Sequence, residues 1–239
     1  MERPDRLFKG VVKKTISSTI LNEQRTLYIH CPKNYQQGKF PVLFMLDAGI
    51  GFVYGQSLKA TRQMPHIIIG IDTKRNRNRD MIPTVSPRQP GSGAAETFLR
   101  FIREELIPYV DRHYPNNGTR TLCGGSASGL FTLYALLKSP DSFTAYISGS
   151  PAIGYSVDKM GQLVRDAAGK CQLRGKKLFL AYGDKERFPP TIRFIPDFAD
   201  LMKKRLGDQL LMRITRLPGR HVPIGFLKRG LEFASKAGE

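Results

Sequence analysis

Short, continuously apolar segments alternate with segments of helical periodicity along most of this 239-residue chain. The segments Val42–Asp47, Ile67–Asp72 and Lys177–Tyr182 lack the alternation of polar and apolar residues that marks a strand with one wet face. Such runs are typical of parallel strands that helices cover on both faces. The remaining predicted strands are Thr26–Cys31, Arg120–Cys123, Thr144–Ser148 and Leu210–Leu217, and the predicted helices are Ala94–His113, Leu130–Lys138 and Asp197–Leu206. The pattern predicts an α/β fold, a three-layer sandwich with a mainly parallel sheet and helices on both faces.

The chain shows neither an internal repeat nor a low-complexity linker, so one domain over residues 1–239 is predicted. Two segments interrupt the alternation. Residues 73–93 contain three prolines and a run of basic side chains, and residues 152–175 follow a strand without an evident next strand. Long irregular segments are uncommon in compact domains unless they serve a function. Both segments are therefore candidates for the rim of a cleft.

Basic residues dominate the charge, with 38 lysines and arginines against 20 acidic residues and a net charge of +18. Such an excess makes nucleic acid, an anionic surface or an acidic substrate conceivable partners. The excess is uneven, because residues 121–169 carry 3 basic and 3 acidic side chains, whereas residues 170–239 carry 16 and 7. The basic residues are not interleaved with aromatic ones, and no helix-turn-helix or zinc-finger spacing occurs. We therefore expect no specific nucleic-acid partner, and a basic surface that steers anionic ligands towards a cleft.

Other signals bear on compartment and metal binding. No apolar run approaches the roughly 20 residues that span a bilayer, and the N-terminus lacks the apolar centre of a signal peptide. The chain as written is expected to be cytoplasmic, or secreted or periplasmic if a leader was removed. Cys31, Cys123 and Cys171 are widely spaced and are expected to be free thiols. Because His30 and Cys31 point to opposite faces of a strand, we expect no metal site, and we expect no cofactor.

A serine lies in a Gly-rich turn between a predicted strand and a predicted helix, in the run Cys123-Gly124-Gly125-Ser126-Ala127-Ser128-Gly129. This run approximates the nucleophile elbow G-x-S-x-G, in which small neighbours allow a strained turn that exposes the serine oxygen at the sheet edge. Ser128 stands where the second glycine of that pattern would be. Gly-rich turns after strands are common without any catalytic role. The assignment of Ser126 as a nucleophile therefore depends on partners elsewhere in the chain.

A nucleophilic serine needs a base, and the base needs a carboxylate that holds its tautomer. In folds with this elbow the partners follow the serine in the order acid, then histidine. One apolar strand runs into Asp184 and Glu186, and a later strand runs into His221, the only one of four histidines after these acids. Three strand ends in this order favour a catalytic triad over unrelated loop residues. The residues alone leave Asp184 and Glu186 open as the acid.

The tetrahedral intermediate of acyl transfer also needs two hydrogen-bond donors for its oxyanion. One is expected from the backbone N–H of Ala127, which follows the nucleophile at a helix N-terminus. The other is expected from the loop after the strand that begins at Val42. Small residues there, Ala48 and Gly49, would let backbone N–H groups approach a bound carbonyl.

Several motifs of this chain occur in an order that resembles a known family. They are Phe40–Asp47, Arg77-x-Arg79-Asp80-x-x-Pro83, Phe98–Tyr109, Gly124–Tyr134, Ile147–Pro151 and His221-Val222-Pro223 ahead of Gly230–Phe233. From residue 10 to residue 235 the chain resembles the putative esterase family, which contains the enterochelin esterase-like hydrolases and is related to esterase D. The resemblance implies an α/β-hydrolase fold and a serine esterase. It implies Ser126 as nucleophile, His221 as base and Glu186 as acid, with Asp184 in reserve.

The resemblance also bears on the substrate. The family's Arg-Asp-Pro motif implies that Arg77 or Arg79 binds an anionic or carbonyl-rich substrate while Asp80 fixes the loop; a solvated loop is the alternative. Enterochelin-type members usually carry tryptophans after the equivalent of Ser150-Pro151, whereas this chain has none. The expected substrate is therefore a small or aromatic carboxylic ester, with a siderophore ester as one case.

Three functions are compatible with these observations. The first is a serine carboxylesterase that hydrolyses a small-molecule ester through an acyl-enzyme on Ser126, without metal or cofactor. The second is an acyltransferase with the same residues, as in the related mycolyltransferases. The third is a non-catalytic polyanion-binding module, which the charge of +18 motivates. The oligomeric state is not predicted.

Overall fold

Within residues 9–49, 51–169 and 171–236, which the computed structural model describes, the strands form one eight-stranded sheet. The strands are β1 (Val11–Ser18), β2 (Glu23–His30), β3 (Phe40–Met45), β4 (Ile67–Ile71), β5 (Asn116–Gly125), β6 (Ala145–Gly149), β7 (Lys177–Gly183) and β8 (Leu211–Leu217). Their order across the sheet is β1-β2-β4-β3-β5-β6-β7-β8. β2 is antiparallel to both of its neighbours, and the other pairs are parallel. The mainly parallel sheet predicted from the sequence is confirmed.

Helices cover both faces of this sheet. They are α1 (Gly51–Ala60), α2 (Arg77–Met81), α3 (Ala95–Phe101), α4 (Ile107–His113), α5 (Ala127–Lys138), α6 (Val157–Ala167), α7 (Pro189–Ile192), α8 (Ile195–Leu206) and α9 (Phe226–Ser235), with a π-helical turn that joins α3 to α4. Side chains of α3, α5, α6 and α8 pack in one apolar cluster, and side chains of α1 and α9 pack in a second. The three-layer sandwich is therefore confirmed.

The two clusters explain why the central strands are apolar throughout. In β3, Val42 and Phe44 belong to the first cluster, whereas Leu43 belongs to the second. In β4, Ile67 likewise belongs to the first cluster and Ile68 to the second. Successive side chains of a strand point to opposite faces of the sheet, so a strand between two apolar layers needs apolar residues at every position.

Some elements differ from the sequence prediction. β1 was not predicted, because it is an edge strand with exposed residues at Val12–Thr15 and lacks an apolar run. Residues 73–93 include α2, and residues 152–175 include α6, so neither segment is irregular throughout. The apolar positions of α6, such as Met160 and Val164, are four residues apart and are buried, which is helical spacing.

The carboxyl ends of β3, β5, β6, β7 and β8 lie side by side along one edge of the sheet, because these strands are adjacent and parallel. Ligands of open α/β sheets bind outside the carboxyl ends of the strands. The loops after these strands carry Asp47, Ser126, Ser150, Glu186 and His221. The fold therefore brings together residues that are up to 174 positions apart in the chain.

Among the described residues, no helix combines the length and the hydropathy needed to cross a membrane. The same part of the chain contains no group of three or more His, Cys, Asp or Glu side chains that could hold a metal ion. Cys31 and Cys123 are free thiols, and burial raises the pKa of both. The side chain of Cys171 lies outside the described part.

Candidate active site

β5 runs into α5 through a tight turn at Ser126. The backbone of Ser126 has φ 61° and ψ −122°, a conformation that residues other than glycine rarely adopt. Its N–H donates to the carbonyl oxygen of Gly149 at 2.8 Å. A Cβ atom at Gly124 would lie 2.5 Å from the carbonyl oxygen of Ser128, so the turn requires glycine at that position. The backbone at Ser126 thus has the strain expected of a nucleophile elbow.

His221 and Glu186 meet at the ends of β8 and β7, with Nδ1 of the histidine 3.0 Å from Oε2 of the glutamate. Oε1 accepts hydrogen bonds from the N–H groups of Arg187 at 3.0 Å and Phe188 at 2.9 Å. Burial raises the pKa of Glu186, but the Phe188 N–H, His221 and the Ser150 hydroxyl together outweigh burial, so the pKa lies below its ordinary value. An ionised carboxylate at this place accepts the Nδ1 proton and leaves Nε2 of His221 available as a base.

Asp184, the reserve acid, occupies a different position. Its Oδ1 accepts a hydrogen bond from the Gly219 N–H at 2.9 Å, and its own N–H donates to the carbonyl oxygen of Leu217 at 2.8 Å. Asp184 therefore shapes the turn that precedes His221. Of the two candidate acids, the structure places Glu186 in contact with His221.

Ser126 and His221 line one cavity, which has a volume of about 440 Å³. Both are among the described residues, and no hydrogen bond joins the Ser126 hydroxyl to the imidazole, whose Nδ1 faces Glu186. In many hydrolases the contact between serine and histidine shortens only when substrate binds. One ligand bound in this cavity could therefore contact both residues.

The loop that carries His221 is held by Ser150, which follows β6. The N–H of Val222 donates to Ser150 Oγ at 3.0 Å. Val222 has φ 49° and Ser150 has φ 41°, and positive φ is a strained state for a β-branched residue such as valine. Ser150 is fully buried. Its hydroxyl contacts both the Val222 N–H and the Glu186 carboxylate, so it fixes the loop that carries His221 relative to Glu186.

Asp47, the second residue after β3, has a buried carboxylate that accepts several hydrogen bonds beside the elbow. Its Oδ2 accepts a hydrogen bond from Ser128 Oγ at 2.8 Å and another from Arg77 at 2.9 Å. Its Oδ1 accepts from Thr73 Oγ1 at 2.6 Å and from Arg77 Nε at 3.0 Å. Ser128 Oγ in turn accepts the Gly125 N–H at 3.0 Å. The hydroxyl that replaces a glycine of the elbow pattern thus joins the elbow to the strand beside it.

The hydrogen bonds of the loop after β3 determine which of its backbone N–H groups are free to donate to an oxyanion. The N–H of Ala48, one of the expected oxyanion donors, donates instead to the carbonyl oxygen of Ile71 at 3.1 Å and is not free for an oxyanion in this conformation. The N–H of Gly49 donates no hydrogen bond to another described residue. Ala127 is the first residue of α5, where the N–H has no partner inside the helix. Gly49 and Ala127 remain as the candidate donors; neither is among the residues that line the cavity.

The two predicted substrate-binding arginines have different surroundings. Arg77 lines the cavity and holds Asp47. Arg79 is not among the lining residues and instead makes two hydrogen bonds to Glu23, at 2.8 and 2.9 Å, and one to Asp80 at 2.9 Å. The expectation that Arg79 faces the substrate does not fit this arrangement. Asp80 is fully buried, is also bound by Arg25 at 2.8 Å, and fixes the loop as expected.

The two predicted rim segments meet beside the base. Thr84, from residues 73–93, donates through Oγ1 to the carbonyl oxygen of Tyr155, from residues 152–175, at 3.0 Å. The rings of Tyr155 and Phe188 are in edge contact at 6.2 Å, and Phe188 is in edge contact with His221 at 4.8 Å. Burial raises the pKa of Tyr155, and the positive charge of Arg77 opposes that rise. The aromatic rings of Phe188 and Tyr155 therefore lie on one side of the His221 imidazole.

The sequence patterns assign no catalytic or binding role to four residues that the structure places at the site: Asp47, Ser150, Tyr155 and Phe188. The available signal is position, because Asp47 is the second residue after β3 and Ser150 the first after β6, on the sheet edge that carries the elbow. Tyr155 and Phe188 carry no such signal, since Tyr155 ends a single 3₁₀ turn that begins at Ile153, and Phe188 lies in the loop just before α7. Their contacts with the site depend on how the loops fold over the sheet.

The fold and the strained serine turn are those of an α/β-hydrolase. The chain belongs to the family described as "Putative esterase", whose model matches residues 18–188. The family predicted from the sequence motifs is thereby confirmed. Ferri-bacillibactin esterase BesA from Bacillus subtilis (strain 168) is 34% identical over 163 residues, which are 56% of this chain and 56% of that protein. The chain matches about half the length of BesA and of two other curated siderophore esterases.

Solved structures share the fold over nearly the whole chain. The BES protein from Bacillus cereus superposes with a TM-score of 0.81 at 21% identity, covering 99% of this chain and 100% of that one. An IroE-like serine hydrolase from Shewanella oneidensis superposes with a TM-score of 0.80 at 24% identity, covering 94% of this chain and 78% of that one. At these identities the likeness establishes the fold.

Proposed function

We propose that this protein is a serine esterase in which Ser126, His221 and Glu186 form the catalytic triad. The observation that carries the proposal is the contact of 3.0 Å between His221 Nδ1 and Glu186 Oε2, in a histidine that shares a cavity with Ser126. The order serine, acid, histidine along the chain fits the α/β-hydrolase pattern. The family membership supports ester hydrolysis as the reaction.

The proposed reaction follows from this geometry. His221 Nε2 removes the proton of Ser126 as Oγ attacks the carbonyl carbon of the ester. The resulting oxyanion accepts hydrogen bonds from the N–H groups of Ala127 and Gly49. His221 then gives its proton to the departing alcohol, which leaves an acyl group on Oγ. Water, deprotonated by His221, attacks this acyl-enzyme and releases the carboxylic acid.

The substrate is proposed to be a carboxylic ester. BesA is named for a siderophore ester, so ferri-bacillibactin is one compound to test. Arg77 lines the cavity with a side chain about one-third exposed, which suits it to contact a carbonyl or an anionic group of the bound ester.

Replacement of the nucleophile tests the proposal. Ser126→Ala should abolish hydrolysis of p-nitrophenyl butyrate and labelling by a fluorophosphonate probe, while the circular dichroism spectrum and the melting temperature stay close to wild type. Ser235→Ala, at an exposed serine on α9, is the control and should retain both activities. Wild-type protein that neither hydrolyses esters nor reacts with the probe would contradict the proposal. Full activity in Ser126→Ala would contradict it as well.

A further inference from the structure

The cavity beside Ser126 extends away from the triad between the two helices on one face of the sheet. Ala60 of α1 lines one side, and Phe226 and Leu227 of α9 line the other. Met45 and Leu46, at the end of β3, also line it and are fully buried. The cavity therefore reaches from the catalytic serine towards the apolar layer that α1 and α9 form.

The side chains that line this extension are mainly apolar. The loop between His221 and α9 adds Val222, Pro223 and Ile224 to its lining. The lysines that line it, Lys59 and Lys228, are exposed, which places their charges at the solvent side. One further polar side chain, the half-buried Gln56 of α1, also lines the cavity. A polar group carried among the apolar side chains, away from Gln56, would lose its hydrogen bonds to water without replacement. An apolar group gains free energy by entering it.

Ile224 gives a second observation. Its side chain is 76% exposed, although it lines the cavity. Single exposed apolar residues are common on protein surfaces. This one, however, lies three residues after the catalytic histidine and continues the apolar wall of the cavity, so a ligand in the cavity would cover it.

The order of events in the proposed reaction decides which part of the ester enters. The alcohol must leave after the first step, whereas the acyl group stays bound to Ser126 Oγ until water attacks. A pocket that extends from Ser126 to α1 and α9 suits the group that remains. The whole cavity, including the part beside Ser126 and His221, has a volume of about 440 Å³, within the range of sites that hold small organic ligands.

We propose that the cavity between α1 and α9 is an acyl-binding pocket, and that the preferred substrate is an ester of an apolar carboxylic acid. This assignment rests on the proposed serine esterase function. Aliphatic and aryl acids share the required chemistry, and the experiment below separates them.

The first test varies the acyl group while the alcohol is constant. For the p-nitrophenyl esters of acetate, butyrate, hexanoate and octanoate, kcat/KM should rise by roughly two- to threefold per added CH₂, below the roughly fourfold of complete burial. The benzoate ester is the aryl arm, and its kcat/KM relative to hexanoate shows which acid fits better. A constant acetyl group on alcohols of increasing length should give a flat series. A flat acyl series with a rising alcohol series would overturn the assignment.

Variants tie the effect to the cavity. Ile224→Ser should lower kcat/KM for octanoate roughly fivefold more than for acetate, because part of the apolar wall is lost. Ala60→Leu should shorten the pocket and move the preference towards acetate. Val12→Ser is the matched control, because Val12 is an exposed apolar residue on β1 at the far edge of the sheet. An unchanged chain-length series in Ile224→Ser and Ala60→Leu would overturn the assignment.

A binding measurement separates this proposal from the esterase proposal. Calorimetry with the Ser126→Ala protein needs no turnover, and it should show tighter binding of p-nitrophenyl octanoate than of p-nitrophenyl acetate by at least tenfold. Equal binding of the two would overturn the acyl pocket even if wild-type protein hydrolyses both. A kcat/KM for ferri-bacillibactin above that of every alkyl and aryl ester, unaffected by Ile224→Ser, would also overturn it.

Discussion

Ser128 Oγ donates a hydrogen bond to Asp47 Oδ2 at 2.8 Å, which links the turn after β5 to the loop after β3. The two residues are 81 positions apart in the chain, and both side chains are buried. Asp47 is also held by Arg77 and Thr73, so the carboxylate is satisfied from three directions. Ser126, the proposed nucleophile, and the loop that carries the candidate oxyanion donor Gly49 are thereby kept at a fixed separation.

Ser128→Ala should lower kcat roughly tenfold with little change in KM, because the elbow loses its link to the oxyanion loop while the substrate contacts remain. The free energy of unfolding should fall by about 1–2 kcal/mol, since Asp47 keeps its other partners. Thr132→Val is the control: Thr132 is buried on the same helix and donates to the Ser128 carbonyl oxygen at 2.8 Å, away from the cavity. It should lose stability without losing kcat. Equal effects of the two variants on kcat would refute the positioning role.

The two acids near His221 should differ sharply on replacement. Glu186→Gln should lower kcat by roughly 10³- to 10⁴-fold, because the amide can no longer hold the histidine tautomer or stabilise its charged form. Asp184→Asn should retain most activity, since an amide oxygen can still accept the Gly219 N–H. Steady-state kinetics on p-nitrophenyl butyrate measure both. If Asp184→Asn proves the more damaging change, the assignment of the acid must be reversed.

The parts of the fold that the sequence predicts are those determined by local patterns. β3, β4 and β7 lie between two apolar layers, so every residue except Lys177, the first of β7, is apolar or glycine, and each strand is recognisable on its own. β1 is stabilised by pairing along its length with β2 rather than by burial, and its sequence shows no such run. Strand-end residues such as Ser126 and His221 were predictable because chain order restricts their partners.

Contacts between distant segments were not predictable in the same way. The link from Asp47 to Ser128 and the one from Val222 to Ser150 join residues 81 and 72 positions apart. Neither has a local pattern, since each depends on which strands become neighbours in the sheet. The hydrogen bond from the Ala48 N–H to the Ile71 carbonyl oxygen also depends on strand order, because it forms only when β4 lies beside β3.

Arg77 and Arg79 should give opposite phenotypes. Arg77→Ala should lower kcat/KM roughly tenfold or more, through a fall in kcat as Asp47 loses its cation and a rise in KM if Arg77 also contacts the ester. Arg79→Ala should leave kcat/KM within about twofold of wild type. Its free energy of unfolding should fall by roughly 2 kcal/mol, a value reduced from that of a fully buried pair because Arg79 is partly exposed. Urea denaturation and kinetics on the same preparations measure both effects, and a large loss of kcat/KM in Arg79→Ala would contradict the assignment.

Glu23 should make the stability of the protein depend on pH in the acid range. Hydrogen bonds from Arg79 lower its pKa, burial opposes this, and the charge of Arg25 lowers it further. A carboxyl whose pKa is lower in the folded than in the unfolded chain binds fewer protons when folded. Its contribution to stability is therefore complete above its ordinary pKa of 4.5 and is lost as the pH falls through the lower folded value.

Glu23→Gln should consequently lower the urea midpoint by a constant amount between pH 6 and pH 8, and the difference from wild type should shrink as the pH is lowered below 4.5. Glu104→Gln is the control, because Glu104 is about half exposed and its ion pair with Arg100 at 3.5 Å lies on the surface. Such a pair contributes little stability at any pH. A difference between Glu23→Gln and wild type that persists unchanged at pH 3 would show that the glutamate acts through packing and not through its charge.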